Sequence, residues 1–187
     1  MIGLVLDCSS LIPCGDKSEE IKKAIRDMGN ILSNLNCFTI YFSPYLIKVY
    51  YTKVASELKR HRPLPPFQAS LLRVLPDLMK VSHKSRGLLC KTRQAEKGVK
   101  FHILESTKVR SYNVNNAGLK DEEDKEVLRI ALASASMEEK VFLVTADQDF
   151  EDINRNELSK RYSSEYQKIE IVTPNNAFAV INDILHR

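Results

Sequence analysis

A chain of 187 residues with 43% hydrophobic and 28% charged residues, six glycines and no long low-complexity tract suits one globular domain rather than a disordered or fibrous chain. No apolar run approaches the ~20 residues a membrane-spanning helix needs, and the opening "MIGLVLDCSS" lacks a basic leader and meets Asp7 too early for a signal peptide, so a cytoplasmic protein without membrane contact is expected. The four cysteines, Cys8, Cys14, Cys37 and Cys90, form no CxxC and have no His at zinc-finger spacing, which argues against structural zinc.

The first element is "IGLVL", residues 2 to 6, a short continuous apolar run of the kind that forms a buried parallel strand. Behind a D-x-x-E start at Asp16 and Glu19, the residues Ile21, Ala24, Ile25, Met28, Ile31, Leu32 and Leu35 recur at helical spacing. "CFTIYF" reads as a second strand, and Ser43-Pro44 supplies an N-cap with proline at the first position of a helix running through "PYLIKVYYTKVASELKR". The middle carries four prolines in "HRPLPPFQASLLRVLPDL" and predicts helical pieces joined by loops, with a strand at "VKFHIL". Order returns in "LKDEEDKEVLRIALASASMEEK", where Val127, Leu128, Ala131, Leu132 and Ala135 make an apolar face behind an acidic first turn. The strand "VFLVT", an amphipathic patch from Phe150 to Leu158, the strand "KIEIVT" and a last helix holding Phe178, Ile181 and Leu185 complete the chain. Strands alternating with helices predict a parallel sheet covered on both faces.

Charge divides the chain. Between residues 59 and 110 thirteen Lys or Arg stand against three acids, although the total is only +4, so the remainder is net acidic. A single domain over 1–187 is expected, with 59–110 as a basic, mainly helical insertion.

Ligands of open parallel sheets bind outside the carboxyl ends of the strands. Three acidic features fall there: Asp7 after the first strand, the run Asp121 to Asp124 opening a helix, and Asp147 with Asp149 after the strand ending at Thr145. Each has an ordinary reading: an Asx turn at Asp7, acid favoured by the helix dipole in "DEED", and a cap at Asp149 for a turn starting at Phe150. Together they read differently, because clustered carboxylates repel and persist at one rim only if a cation holds them. Mg²⁺ or Mn²⁺ suits a ligand set made of oxygen.

These residues carry a family resemblance. "LVLDCSSLI" resembles the opening strand and D-x-S/N motif of the PIN domain, a family of metal-dependent nucleases; Asp124 with "KEVLRIALA" resembles its third acidic position, "VTADQDF" its T-x-D-x-D-F signature, and "KIEIVTPNNAFAVI" its last strand and helix. The resemblance implies a three-layer α/β/α fold around a mostly parallel five-stranded sheet. It also implies an endoribonuclease in which carboxylates hold one or two divalent ions that activate water against a phosphodiester, leaving 5′-phosphate and 3′-hydroxyl ends. Carried over by position, Asp7, Asp124 and Asp147 become catalytic metal ligands, Asp149 a direct or water-mediated ligand, and Ser9 and Thr145 supporting hydroxyls.

One departure from the family concerns a glutamate early in the helix after the second strand, where this chain has Val49 or Tyr50. Glu57 lies eight residues beyond Val49, about 12 Å along a helix, too far to replace it without a kink or a change of register. An acid from elsewhere, Asp121 included, is the candidate for that corner. The alternative function is therefore a degenerate PIN domain that binds RNA or a protein without cutting.

A site that cuts nucleic acid also needs cations beyond the metal. Lys84, Arg86, Lys91 and Arg93 are the densest candidates for contacting single-stranded or structured RNA, and would share one face if residues 88–97 were helical; a solvated surface or a docking face for an acidic partner is the competing reading. Tyr41, Tyr45, Tyr50 and Tyr51 are candidates for base stacking or for the core. The sequence leaves open an antitoxin or other protein partner, and a homodimer.

Overall fold

Strand β1 (Ile2–Leu6) buries Leu4, Val5 and Leu6 almost completely, so side chains of both parities leave water. Such a strand must be covered on two faces, and the computed structural model, which describes residues 2–13, 16–32, 38–60, 63–84, 92–94 and 100–185, shows how. Strands β2 (Phe38–Phe42), β3 (Thr92–Gln94), β4 (Lys100–Ile103), β5 (Lys140–Val144) and β6 (Ile169–Val172) join β1 in the order β3-β4-β2-β1-β5-β6. The five strands from β4 to β6 in that order are mutually parallel and form the expected five-stranded centre, flanked by helices in a three-layer α/β/α arrangement. Strand β3 adds a short antiparallel edge against β4.

The helices are α1 (Glu19–Leu32), α2 (Pro44–Val49), α3 (Ala55–Arg60), α4 (Pro66–Lys84), α5 (Ser106–Arg110), α6 (Glu122–Ala135), α7 (Arg155–Arg161), α8 (Ser163–Tyr166) and α9 (Pro174–Leu185). Helix α1 packs against α9 and α4, while α6 crosses β1, β2, β5 and β6 and also meets α5 and α8. The expected faces are buried: Ala24, Ile25, Met28 and Leu32 on α1, and Val127, Leu128, Ala131, Leu132 and Ala135 on α6. Leu35 lies outside the described residues. At the start of α1 the capping oxygen is that of Ser18, which accepts from the Ile21 N–H at 3.3 Å, rather than Asp16.

Two stretches depart from the sequence expectation. Helix α4 is one continuous helix through Pro76, where separate pieces were expected. An internal proline costs about 3 kcal/mol, but burial of Phe67, Leu71, Leu75 and Leu78 contributes roughly 1.5–3 kcal/mol for each side chain and outweighs it. The expected helix from 44 to 60 does form, but Tyr50–Val54 is a π-helical turn between α2 and α3, with the Ala55 N–H bonded to the Tyr50 carbonyl.

The basic segment is only partly peripheral, because it contributes β4 to the parallel sheet. Of the helix considered over 88–97, the described residues are Thr92, Arg93 and Gln94, and these pair with His102, Phe101 and Lys100 as an edge strand. Three residues without apolar alternation give no strand signal, and the ladder to β4 decides their conformation. Lys84 and Arg93 therefore do not share a helical face, since Lys84 ends α4 and Arg93 lies on β3. Arg86 and Lys91 lie outside the described residues.

From β1 the chain builds outward through β2 to β4, then returns to the other side of β1 as β5 and β6. The winding reverses between β1 and β5, and the carboxyl ends of these neighbours carry Asp7 and Thr145. Among the described residues no helix is long and apolar enough to cross a membrane.

The α1–α4 contact is tight at Gly29, where an added Cβ would stand 2.1 Å from Gln68 Oε1 and 2.8 Å from the Pro65 ring. Gln68 is fully buried and its amide donates to the Ile25 carbonyl at 3.4 Å, so it has little room to move. Gly29→Ala is expected to destabilise the fold by roughly 1–3 kcal/mol from overpacking, despite the ~1 kcal/mol that alanine ordinarily gains over glycine in a helix. Thermal unfolding checks this; a variant as stable as the wild type would contradict the packing described.

Candidate metal centre

Where β1 ends, Asp7 turns into a single 3₁₀ turn, Cys8–Ser10, and its carboxylate faces the end of β5. Three donors converge on Asp7 Oδ2: the Ser9 N–H at 3.2 Å, the Ser9 hydroxyl, and the Thr145 hydroxyl at 3.0 Å. Each hydroxyl also accepts a backbone N–H, Ser9 from Ala146 at 2.9 Å and Thr145 from Asp147 at 3.0 Å. The Asp7 N–H itself donates to the Val144 carbonyl at 2.9 Å. The two strand ends are thus sewn together around one buried carboxylate, and the loop carrying Asp147 is held by the same hydroxyls. Burial raises the Asp7 carboxyl above its ordinary value, with the bonds from Ser9 and Thr145 opposing the shift.

Asp147 caps the 3₁₀ turn Gln148–Phe150 by accepting the Asp149 N–H at 3.0 Å. The cap expected at Asp149 therefore belongs to Asp147, and Asp149 occupies the first turn. Both acids are exposed, while Phe150 anchors the turn in the core.

Across the rim, α6 separates the four acids of "DEED" into different environments. Asp121 is the N-cap and accepts the Glu123 N–H at 2.8 Å. Glu122 pairs with Arg129, and Glu123 with Lys53. The helix-start reading thus accounts for Asp121 but not for Asp124. Asp124 is only 7% exposed, yet its carboxylate has neither a hydrogen bond nor an ion pair among the described residues. Its pKa is pushed up to about 7, first by burial and then by the negative fields of Asp7, Asp147, Asp121 and Asp149. Asp7, Asp147, Asp121 and Asp149 are thus within electrostatic reach of Asp124.

Val49 and Tyr50 contribute nothing ionic to this rim. Val49 is buried against the core, and Tyr50, fully buried, donates its hydroxyl to the Leu6 carbonyl at the end of β1. Glu57 is directed elsewhere and pairs with Arg60 at 2.9 Å. The acid beside Asp7 is instead Glu123: Asp7, Cys8 and Glu123 each present a ligand atom within 4.8 Å of one another. Burial and a hydrogen bond to Glu123 push the Cys8 thiol well up, so it is a protonated donor to that carboxylate rather than a thiolate. Sequence reading missed Glu123, Lys53 and Cys8. Glu123 stands next to Asp124 in a run explained by the helix dipole, and no local pattern reveals a partner 70 residues away.

Among the described residues the ligand atoms that lie within 4.8 Å of one another are those of Asp7, Cys8 and Glu123, so the expected set Asp7, Asp124 and Asp147 does not close on one ion-sized point, and Asp149 is no closer. The carboxylate oxygens of these residues are of the type that a hard divalent cation takes. Tyr45, 45% exposed, lies near the same rim, and its hydroxyl is held above its usual range by partial burial and then by Glu123 and Asp121; Tyr51 is also exposed, whereas Tyr41 and Tyr50 belong to the core. No protein-family model, characterised protein or solved structure matches the chain.

The charge imbalance has a measurable consequence without metal. The folded chain holds a proton on Asp124 up to about pH 7, whereas the unfolded chain releases it near the ordinary 3.8. The stability linked to that proton is fully present below about pH 4 and is lost as pH rises to 7 and beyond. Asp7, raised by burial, acts with the same sign. In EDTA the thermal midpoint of the wild type is expected to fall between about pH 5 and pH 8, and Asp124→Asn is expected to flatten that decline. A decline of equal size in both proteins would show that Asp124 is not the strained group.

Proposed function

We propose that this protein is a Mg²⁺- or Mn²⁺-dependent endoribonuclease of PIN type. The observation that supports the reading is Asp124, a nearly buried carboxylate with no hydrogen bond or ion pair among the described residues, within the negative fields of Asp7, Asp147 and Asp149 near the switch point of a parallel sheet. Structural acids are ordinarily paired, and an acid without a partner among the described residues is one that a cation could serve. When bound, the ion supplies a Lewis acid that neutralises phosphoryl charge and lowers the pKa of a coordinated water.

The chain's own residues divide the remaining work. Asp7, Asp124 and Asp147 would hold the cation, and Asp149 would support it from the exposed side. Ser9 and Thr145 fix the rotamer of Asp7 through the hydrogen bonds to Oδ2. Burial and then the neighbouring carboxylates favour the protonated form of Asp124, so a cation bound there would displace that proton and ion affinity would rise with pH. Exposed Tyr45 flanks the rim as a surface on which an unpaired base of single-stranded RNA can stack. The same chemistry would serve a toxin restrained by an antitoxin or an RNA-processing enzyme.

A second reading rests on a specific observation. The corner usually held by glutamate carries core residues Val49 and Tyr50, and the acid that comes nearest, Glu123, is already tied to Lys53 and Cys8. That favours a domain that binds RNA or a protein without cleaving.

Hydrolysis of labelled single-stranded RNA with Mn²⁺ separates the readings. The nuclease reading expects cleavage that falls at least about 100-fold in Asp7→Asn and in Asp124→Asn, several kcal/mol of transition-state stabilisation being lost with a ligand. Cleavage that survives both substitutions would overturn it, and tight RNA binding without cleavage by the wild type would select the second reading.

A further inference from the structure

The π-helical turn Tyr50–Val54 keeps Tyr50 and Val54 fully buried while placing Lys53 between them at the rim. The Lys53 ammonium bonds Glu123, the carboxylate that lies within 4.8 Å of Asp7 and Cys8 ligand atoms. Glu123 has only 10% of its side chain exposed, whereas Lys53 is 62% exposed. The ammonium therefore reaches inward to a buried acid from a position that solvent, and a polyanion, can approach. A lone lysine paired with an exposed acid would be an ordinary surface contact. Here the pair sits against a rim of carboxylates that repels phosphate, and its ammonium bonds the acid that lies beside Asp7, whereas Lys125 and Arg129 pair with Glu122.

We propose that Lys53 is the substrate-gripping cation of this site: it screens Glu123 and binds a backbone phosphate of single-stranded RNA beside the metal-holding aspartates. The proposal rests on the nuclease reading and adds a residue to it. Glu123 holds the ammonium at the rim, and an arriving phosphate oxygen becomes a further acceptor for one of its three N–H donors. Screening by Lys53 also reduces the repulsion that Glu123 would otherwise exert on the phosphate. Nearby acids hold the Lys53 pKa above its ordinary value, so the charge persists across the working pH range.

The test measures binding of fluorescein-labelled single-stranded RNA by fluorescence polarisation in EDTA, where no cleavage occurs, over a series of salt concentrations. Lys53→Met is expected to weaken binding about tenfold and to make the salt dependence shallower by about 0.7 in log–log slope, the amount for one phosphate contact on a single strand. Lys53→Arg should retain most of the affinity. Glu123→Gln, which removes the competing carboxylate and leaves the ammonium, should bind RNA more tightly than the wild type. A purely structural lysine would lower the thermal midpoint of Lys53→Met and leave the salt slope unchanged. Unchanged affinity and slope in folded Lys53→Met, or weaker binding by Glu123→Gln, would overturn the proposal. If the wild type cleaves RNA with Mn²⁺ while Lys53→Met binds as tightly as before, this proposal alone fails. If the wild type neither binds nor cleaves RNA, the nuclease reading fails with it.

Discussion

Everything at the rim depends on one buried carboxylate and the two hydroxyls that hold it. Asp7 terminates β1, Thr145 terminates β5, and Ser9 spans the gap between them. Each hydroxyl donates its one proton to Asp7 and uses a lone pair to capture a backbone N–H of the β5 loop, so neither can be removed without leaving buried polar groups unpaired. Such a loss costs about 1–3 kcal/mol per group. The sheet makes the arrangement possible because β1 and β5 are parallel neighbours with a residue-for-residue register, which brings their carboxyl ends level. The helices covering both faces supply the burial that makes each of these bonds matter.

That clamp settles Asp7 and leaves Asp124 unsettled. Of the four acids opening α6, one caps the helix and two have basic partners, so their charges are balanced within the chain. Among the described residues nothing offsets Asp124, and its pKa is raised first by burial and then by the neighbouring carboxylates. Stability alone would favour a neutral residue there. In the proposed reading that acid would be answered by a cation supplied from outside, and carboxylate oxygens suit a hard one. Lys53, paired with Glu123 and largely exposed, is the complementary charge that the proposal assigns to an RNA backbone.

Much of the architecture was legible because strongly buried elements write themselves into sequence. β1, β2 and β5 are continuous apolar runs, α1 and α6 carry helical periodicity, and the acids after β1 and β5 stand where a parallel sheet must put its loops. What escaped was decided by distant contacts. α4 passes through Pro76 because its buried leucines outweigh a local rule, and β3 exists only because β4 offers it a ladder. The π turn has no local signature in "YYTKV", and the Lys53–Glu123 pair joins residues whose neighbourhood only the fold creates. The cap at Asp147 rather than Asp149 shows the opposite limit: the motif was plain, but which of two aspartates turned inward to the backbone was set by the Thr145 hydroxyl holding the Asp147 N–H.

The most direct test of the central claim is a crystal structure of the wild type grown with saturating Mn²⁺ and measured at a wavelength where manganese scatters anomalously. The expected result is an anomalous peak among the carboxylates of Asp7, Asp124 and Asp147, with metal–oxygen distances of about 2.0–2.2 Å as expected for a small hard divalent ion. A rim that holds no peak at saturating Mn²⁺, with Asp124 still unpaired, would contradict the reading of this site as a metal centre.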